Sequence, residues 1–211
     1  MKPTKNNSFQ IISGDYRGRK FHFPDAQGLR PTPGKVRETL FNWIQFQAYG
    51  KTYLDLFAGS GALSLEALSR GAKSVLSVEK DPKAYQMLVD NAQTLQAENL
   101  QVLNQDALSV LSRPSQVAYD FVFLDPPFNQ GLLAKALALL SQHHWTQSGT
   151  QLYLESEFAI DHDFLDAHFA KAIKINKQKQ AGAVYYCLTE VLWQQRSIPA
   201  LLIQLPMAML I

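Results

Sequence analysis

A single cysteine, Cys187, rules out an internal disulfide. The first residues, MKPTKNNSFQ, hold no apolar run of the kind that directs secretion, so a reducing cytoplasm is the expected compartment. Charge is sparse as well. Lys, Arg, Asp and Glu make up 18% of the 211 residues and the formal net charge is +2, so the whole-chain balance announces no polyanion partner. The histidines, His22, His143, His144, His162 and His168, show no zinc spacing with cysteine, and no metal is expected. Neither internal repeats nor low-complexity tracts are visible. The most apolar stretch, LWQQRSIPALLIQLPMAMLI at 192–211, is broken by Arg196, Pro199 and Pro206, which argues against a membrane span.

What is present is enough apolar material, 46% of residues, for one well-buried core. The charge that exists is unevenly placed. Up to Lys51 there are nine basic residues against the acids Asp15, Asp25 and Glu38, so this segment is about +6 and the remainder about −4. Three segments follow from texture: 1–50, a basic N-terminal extension; 51–191, an alternating α/β domain; and 192–211, an apolar tail that packs on the domain, forms a contact between copies, or is a divergent terminus.

In the first segment, SFQIISGDYRGRKFHF (8–23) reads as a hairpin with turns at Gly14 and Gly18. LRPTPGKVRETLFNWIQFQ (29–47) reads as an amphipathic helix, with Thr32 as its cap, Pro33 in its first turn and Val36, Leu40, Phe41 and Ile44 at helical spacing. After Gly50 strands alternate with helices: YLDLF, ALSLEALSRG, SVLSVE, PKAYQMLVDNAQTL, LQVLN, YDFVFLD, GLLAKALALLSQ and QLYLESE. That pattern predicts a parallel sheet covered on both faces. KAIKIN and AVYYCLTEV, joined across KQKQAG, predict an antiparallel pair at the end.

Four strand ends carry chemistry. Gly59 and Gly61, in LDLFAGSGALSLEALSRG, lie between a strand and a helix, where a ligand can approach the backbone; a tight turn alone is the plainer explanation. Glu79 closes the next strand eighteen residues after Gly61, where an acid can accept from both ribose hydroxyls of a nucleoside. The third glycine of the dinucleotide fingerprint is missing, Leu63 and Ser64 standing in its place, which does not by itself exclude NAD. Asp106, in NQDAL, follows a third apolar strand and suits either ligand binding or helix capping. The fourth strand ends in FLDPPF (123–128), where two prolines stop pairing and stiffen the backbone around Asp125 and Phe128. A Pro-terminated strand with a core phenylalanine is the alternative.

An acid followed by two prolines and an aromatic resembles the catalytic motif of S-adenosylmethionine-dependent methyltransferases that act on planar nitrogens. The chain as a whole, from about residue 8 to residue 190, is similar to the bacterial 16S ribosomal RNA guanine-N2 methyltransferases of the RsmD type. The likeness runs through ISGDYRGRKF, LRPTPGKVRETLFNW, LDLFAGSGALSLEALSRGA, VEKD and DPPF. It implies a class I, Rossmann-like methyltransferase fold: a seven-stranded, mostly parallel sheet with an antiparallel last strand, preceded by a hairpin and helix. It implies S-adenosylmethionine as donor, with Asp55, Phe57, Gly59, Ser60 and Gly61 flanking it, Glu79 and Lys80 at its ribose, and Asp106 and Ala107 at its adenine end. It also implies that Asp125, Pro126, Pro127 and Phe128 hold the target base.

For the RNA, local basicity points to Arg17, Arg19 and Lys20 on the hairpin and to the Arg30, Thr32 and Arg37 region, with Lys177 and Lys179 extending the contact. A solvated surface is the alternative for each. The expected partner is 16S ribosomal RNA within a small-subunit particle, and the expected state is a monomer. Two other readings stay open: a methyltransferase acting on a DNA adenine or a protein glutamine, and a noncatalytic RNA-binding assembly factor. The intact DPPF argues against the second.

Overall fold

The structure, a computed structural model, describes residues 7–23 and 33–192. Arg30, Thr32 and the tail beyond Leu192 lie outside the described residues. In chain order the elements are β1 (Asn7–Gln10), β2 (Lys20–Phe23), α1 (Gly34–Ile44), β3 (Thr52–Asp55), α2 (Ala62–Ser69), β4 (Ser74–Val78), α3 (Pro82–Thr94), β5 (Leu100–Leu103), α4 (Ala107–Leu111), β6 (Phe121–Leu124), α5 (Leu132–Gln142), β7 (Gln151–Ser156), α6 (His162–His168), β8 (Ile173–Ala181) and β9 (Val184–Val191).

Seven strands form one sheet in the order β5-β4-β3-β6-β7-β9-β8. The five from β3 to β7 are mutually parallel, and β9 inserts antiparallel between β7 and β8. This is the doubly wound, Rossmann-like sheet of a class I methyltransferase, with the expected antiparallel last strand. The strand order reverses between β3 and β6, the position at which open α/β sheets form a ligand crevice beyond the carboxyl ends of their strands.

Both faces of the sheet are covered, which is why β6, at its centre, is apolar throughout. All four residues of β6 are buried. Phe121, Phe123, Tyr53 and Tyr153 pack on one side with α1, α2 and the hairpin. Leu54, Val122, Leu124, Leu152 and Leu154 pack on the other with α4, α5 and α6. Phe9, Phe21 and Phe23 of the hairpin join the first of these cores, each burial stabilising by roughly 1.5–3 kcal/mol.

The hairpin is also tied down by polar contacts. The Glu66 carboxylate, fully buried on α2, accepts hydrogen bonds from the amides of Ile12 (2.8 Å) and Ser13 (3.1 Å) and from Arg70 Nε (2.8 Å). At the C-terminal end of α2, the Asp15 amide donates to the Ser69 carbonyl and the Tyr16 amide to the Ser69 hydroxyl. Gly14, at φ 84°, passes so close that a Cβ would sit 1.7 Å from the Ser69 carbonyl oxygen. Only glycine fits that turn.

Two expectations are corrected. α1 begins at Gly34 with Pro33, which has no side-chain cap bond, as its N-cap, one position before the first turn; Thr32, the expected cap, lies outside the described residues. The polar run KQKQA is not a connection but the second half of β8, because an edge strand needs only backbone partners on one side and no apolar outer face. The actual turn is two residues, Gly182 and Ala183.

Candidate active site

Because β3 to β7 run in parallel, their carboxyl ends share one rim of the sheet. Asp55 ends β3, Glu79 follows β4, Asp106 follows β5, Asp125 follows β6, and Glu157 follows β7. Asp55 and Asp125 flank the switch between β3 and β6, their strands held in register by the pair Asp55 and Phe123.

Asp55 is buried, only 2% exposed. Loss of hydration raises its pKa to about 7; the nearby charges of Asp125 and Glu79 push the same way, and a hydrogen bond from Ser64 opposes them. Ser64 Oγ stands 2.6 Å from Asp55 Oδ2 and 2.7 Å from Ser77 Oγ, forming a short relay of hydroxyls beneath the carboxyl. Three acids within electrostatic reach of each other favour a cation among them.

Glu79 is held at both oxygens: Oε2 accepts from the Gly59 amide and Oε1 from the Asp81 amide, each at 2.7 Å. A carboxylate has about four acceptor positions, so each oxygen retains capacity for a ligand hydroxyl. The Gly59 bond ties the glycine loop to the end of the next strand. Asn104 completes the brace, donating from Nδ2 to the carbonyls of Glu79 (2.8 Å) and Lys80 (3.1 Å). Lys80 itself is exposed. Asp106 does cap a helix: its Oδ1 accepts from the Ser109 amide at 2.9 Å at the start of α4, with Ala107 buried behind it.

Gly61 is the N-cap of α2, at φ 76°, and offers no side-chain cap. The first amides of α2 therefore have no intrahelical acceptor and stand at the rim, a favourable place for an anionic group. The space at Gly61 where a Cβ would project is filled by Leu88 of α3, 2.2 Å away. Its missing side chain thus serves the packing of the loop on α3 rather than a ligand's approach. Phe57 is partly exposed and Ser60 nearly buried in the same loop.

Pro126 is buried, while Asp125, Pro127 and Phe128 are half-buried at the mouth of the crevice. The loop they form is pinned on its far side. Asn129, in the left-handed region at φ 61°, donates its amide to Glu157 Oε1 at 2.7 Å. Glu157 was not expected from sequence, and neither were Ser64, Ser77, Asn104 or Glu66. The visible signal for Ser64 and Glu66 is a polar side chain inside the otherwise apolar ALSLEAL.

The basic residues are not gathered at one place. Arg17, Arg19 and Lys20 are exposed, but the hairpin turn docks on the C-terminal end of α2, and Arg19 Nη1 reaches the Thr94 carbonyl at the end of α3. Both helix ends lead into the amino ends of β4 and β5, the edge of the sheet opposite the carboxylates. Lys177 and Lys179 are exposed on the edge strand β8, where Lys179 aligns through Tyr186 with Glu155 near the rim. Arg37 is a correction. Expected at the RNA surface, it is 3% exposed beneath the hairpin, donating to the Gln10 carbonyl and 3.7 Å from Glu66. It lies on the apolar stripe of α1 with Phe41 and Ile44, which buries it.

Among the described residues no helix is long and apolar enough to cross a membrane, and no cluster of His, Cys, Asp or Glu could hold a metal ion.

A family model described as conserved hypothetical protein 95 matches residues 9–190. Ribosomal RNA small subunit methyltransferase D of Escherichia coli is 42% identical over 189 residues, covering 89% of this chain and 93% of that protein. Its counterpart of the same name in Haemophilus influenzae is 42% identical over 158 residues, covering 74% and 82%. A solved Escherichia coli structure superposes with a TM-score of 0.81 at 39% identity, covering 89% of this chain and all of that one. The chain belongs to the family of the ribosomal RNA small subunit methyltransferase D proteins.

Proposed function

We propose that this member of the family transfers a methyl group from S-adenosylmethionine to the exocyclic N2 of a guanine in 16S ribosomal RNA, acting on a small-subunit particle in the cytoplasm. The observation that carries the reading is the meeting, at the sheet's switch point, of Asp125 to Phe128 with the rim acids Asp55 and Glu79.

The residues present suit the donor. Glu79 is oriented by two amides with acceptor capacity for ribose hydroxyls, Asp106 stands on the adjacent rim position for the adenine end, and the uncapped start of α2 suits a carboxylate. Asp55, whose burial disfavours its charge, gains from any cation placed beside it. When bound, S-adenosylmethionine supplies an electrophilic methyl group on a sulfonium.

The guanine N2 is a poor nucleophile because its lone pair is delocalised into the ring. The Asp125 carboxylate and the Pro126 carbonyl accept its two N–H hydrogens, favouring a pyramidal nitrogen with a directed lone pair. Rate then comes from positioning and electrostatics. Phe128 offers a face on which a base drawn out of its stack can lie, and Pro127 keeps the turn stiff. The Asn129–Glu157 bond holds that turn from behind.

The exposed basic groups on different edges of the sheet suit a polyanion that extends beyond the crevice. α2 alone, at eight residues, separates the rim from the hairpin turn by about 12 Å. The test is a methylation assay with labelled donor comparing ribosomal particles, naked 16S RNA, duplex DNA and bulk protein. Label in small-subunit RNA supports the proposal; label only in DNA or protein refutes it.

A further inference from the structure

A second polar site lies outside the crevice, between β1 and the first turn of α1. A cavity of about 400 Å³ is lined there by Ser8, Gln10, Gly34, Arg37 and Glu38, with Phe9, Ile12 and Pro33 as its apolar walls. Arg37 is 97% buried, yet among the described residues its Nε and Nη1 have no hydrogen-bond partner, and its Nη2 donates to the Gln10 carbonyl. Its ion-pair partner does not relieve this. The Glu66 oxygens already accept from Ile12, Ser13 and Arg70, and Arg37 Nε stands 3.7 Å away, beyond hydrogen-bond range. Two guanidiniums, Arg37 and Arg70, thus share one carboxylate, leaving a net positive charge in a largely buried cluster. An unpaired buried donor of this kind has capacity for a water, an ion or a ligand group.

The same cavity meets the start of an eleven-residue helix whose N-cap contributes no side-chain acceptor. The amides of Val36 and Arg37 donate to the Pro33 carbonyl, which leaves those of Gly34 and Lys35 without an intrahelical acceptor at the positive end of the helix dipole. Gly34 stands at that point with open space where a Cβ would be, so a ligand can reach the backbone. Glu38 faces the cavity and opposes a bare anion there.

We propose that this cavity is a phosphodiester subsite, in which the Arg37 guanidinium and the first amides of α1 receive one backbone phosphate of the substrate RNA. The proposal rests on the RNA reading above and names a contact for it. It also gives buried Arg37 a part in RNA binding that its lack of exposure had removed: a phosphate enters the cavity rather than the arginine reaching out.

Gly34→Pro isolates the subsite. Pro33, at φ −50° and ψ 138°, has the extended backbone favoured before a proline, and the first helical position tolerates proline because its amide makes no helical bond. The variant removes one donor and leaves the fold intact. Two measurements are made. Inorganic phosphate, against chloride at equal ionic strength, is titrated while the ¹⁵N signal of Arg37 Nε is followed. The expected result is a saturable shift in the wild type, weakened about tenfold in Gly34→Pro and strengthened in Glu38→Gln. RNA affinity is expected to fall about tenfold in Gly34→Pro with unchanged S-adenosylmethionine affinity and melting temperature. No phosphate-specific shift at Arg37, or wild-type RNA affinity in Gly34→Pro, overturns the subsite. A wild-type chain that responds to phosphate yet neither binds nor methylates RNA instead overturns the proposed function and, with it, the RNA as occupant.

Discussion

Replacing Asp55 with asparagine should separate two opposite pH dependences that the native carboxyl imposes. Its folded pKa, about 7, lies well above its ordinary value near 3.8. The folded state therefore binds this proton more tightly than the unfolded chain. The stabilisation is complete below about pH 4 and is lost as pH rises toward 7. At about 1.4 kcal/mol per pKa unit, the cost at neutral pH is on the order of 4 kcal/mol. Asp55→Asn abolishes that titration, so the stability difference between variant and wild type should grow in the variant's favour from about pH 4 to pH 7. Asp120, whose pKa is lowered by hydrogen bonds from Thr52 and Lys51 against a desolvation that works the other way, titrates in both proteins and cancels in the comparison.

Donor binding should run the other way. If the cationic part of S-adenosylmethionine sits beside Asp55, binding requires the ionised carboxyl, whose population rises from about 3% at about pH 5.5 to about half at pH 7. Affinity should then rise roughly fifteenfold over that interval, with proton release, and the rise should be absent in Asp55→Asn. Urea melts give the first quantity; calorimetry in buffers of differing ionisation enthalpy gives the second. A flat stability difference, or a wild-type donor affinity with no pH dependence, would refute the placement of a cation beside a protonated, buried Asp55.

Glu79→Ala should weaken donor binding by about 1–3 kcal/mol, the range for charge-assisted hydrogen bonds, and calorimetry on the folded variant reads it directly. Phe128→Ala should weaken RNA capture by about 1–3 kcal/mol while Asp125→Ala lowers the single-turnover rate with little change in donor affinity; single-turnover assays with saturating donor and varied RNA separate them. Glu66→Ala strips a buried carboxylate from two guanidiniums and two hairpin amides, and should cost about 3–5 kcal/mol in chemical denaturation. Alanine at Arg17, Arg19 and Lys20 together should flatten the salt dependence of RNA binding without altering donor affinity; an unchanged slope removes the hairpin from the interface.

Much of the fold was legible because burial on both faces of a parallel sheet leaves continuous apolar runs, and these are plain in YLDLF, SVLSVE and YDFVFLD. The acids at their ends were legible for the same reason: a charged residue closing an apolar run in such a sheet falls on the ligand rim. What sequence did not yield was three-dimensional company. Arg37 read as a surface base because it is charged, although its spacing from Phe41 and Ile44 placed it on the buried stripe. Glu66 gave no hint of its partners, which lie more than fifty residues away in the hairpin. Nor could sequence show that Arg17 and Arg19 belong to the edge opposite Asp125, since that follows from where the turn at Gly14 meets Ser69. The strand character of KQKQA was hidden for a different reason: an edge strand is defined by its backbone pairing with β9, which composition does not record.

The central claim, methyl transfer to guanine N2 in 16S RNA through Asp125, is met most directly by mass spectrometry of nucleosides from 16S ribosomal RNA of cells lacking this chain. N2-methylguanosine should fall, return with the wild-type chain, and not return with Asp125→Ala. Unchanged N2-methylguanosine in the deficient cells, or full restoration by Asp125→Ala, would contradict it.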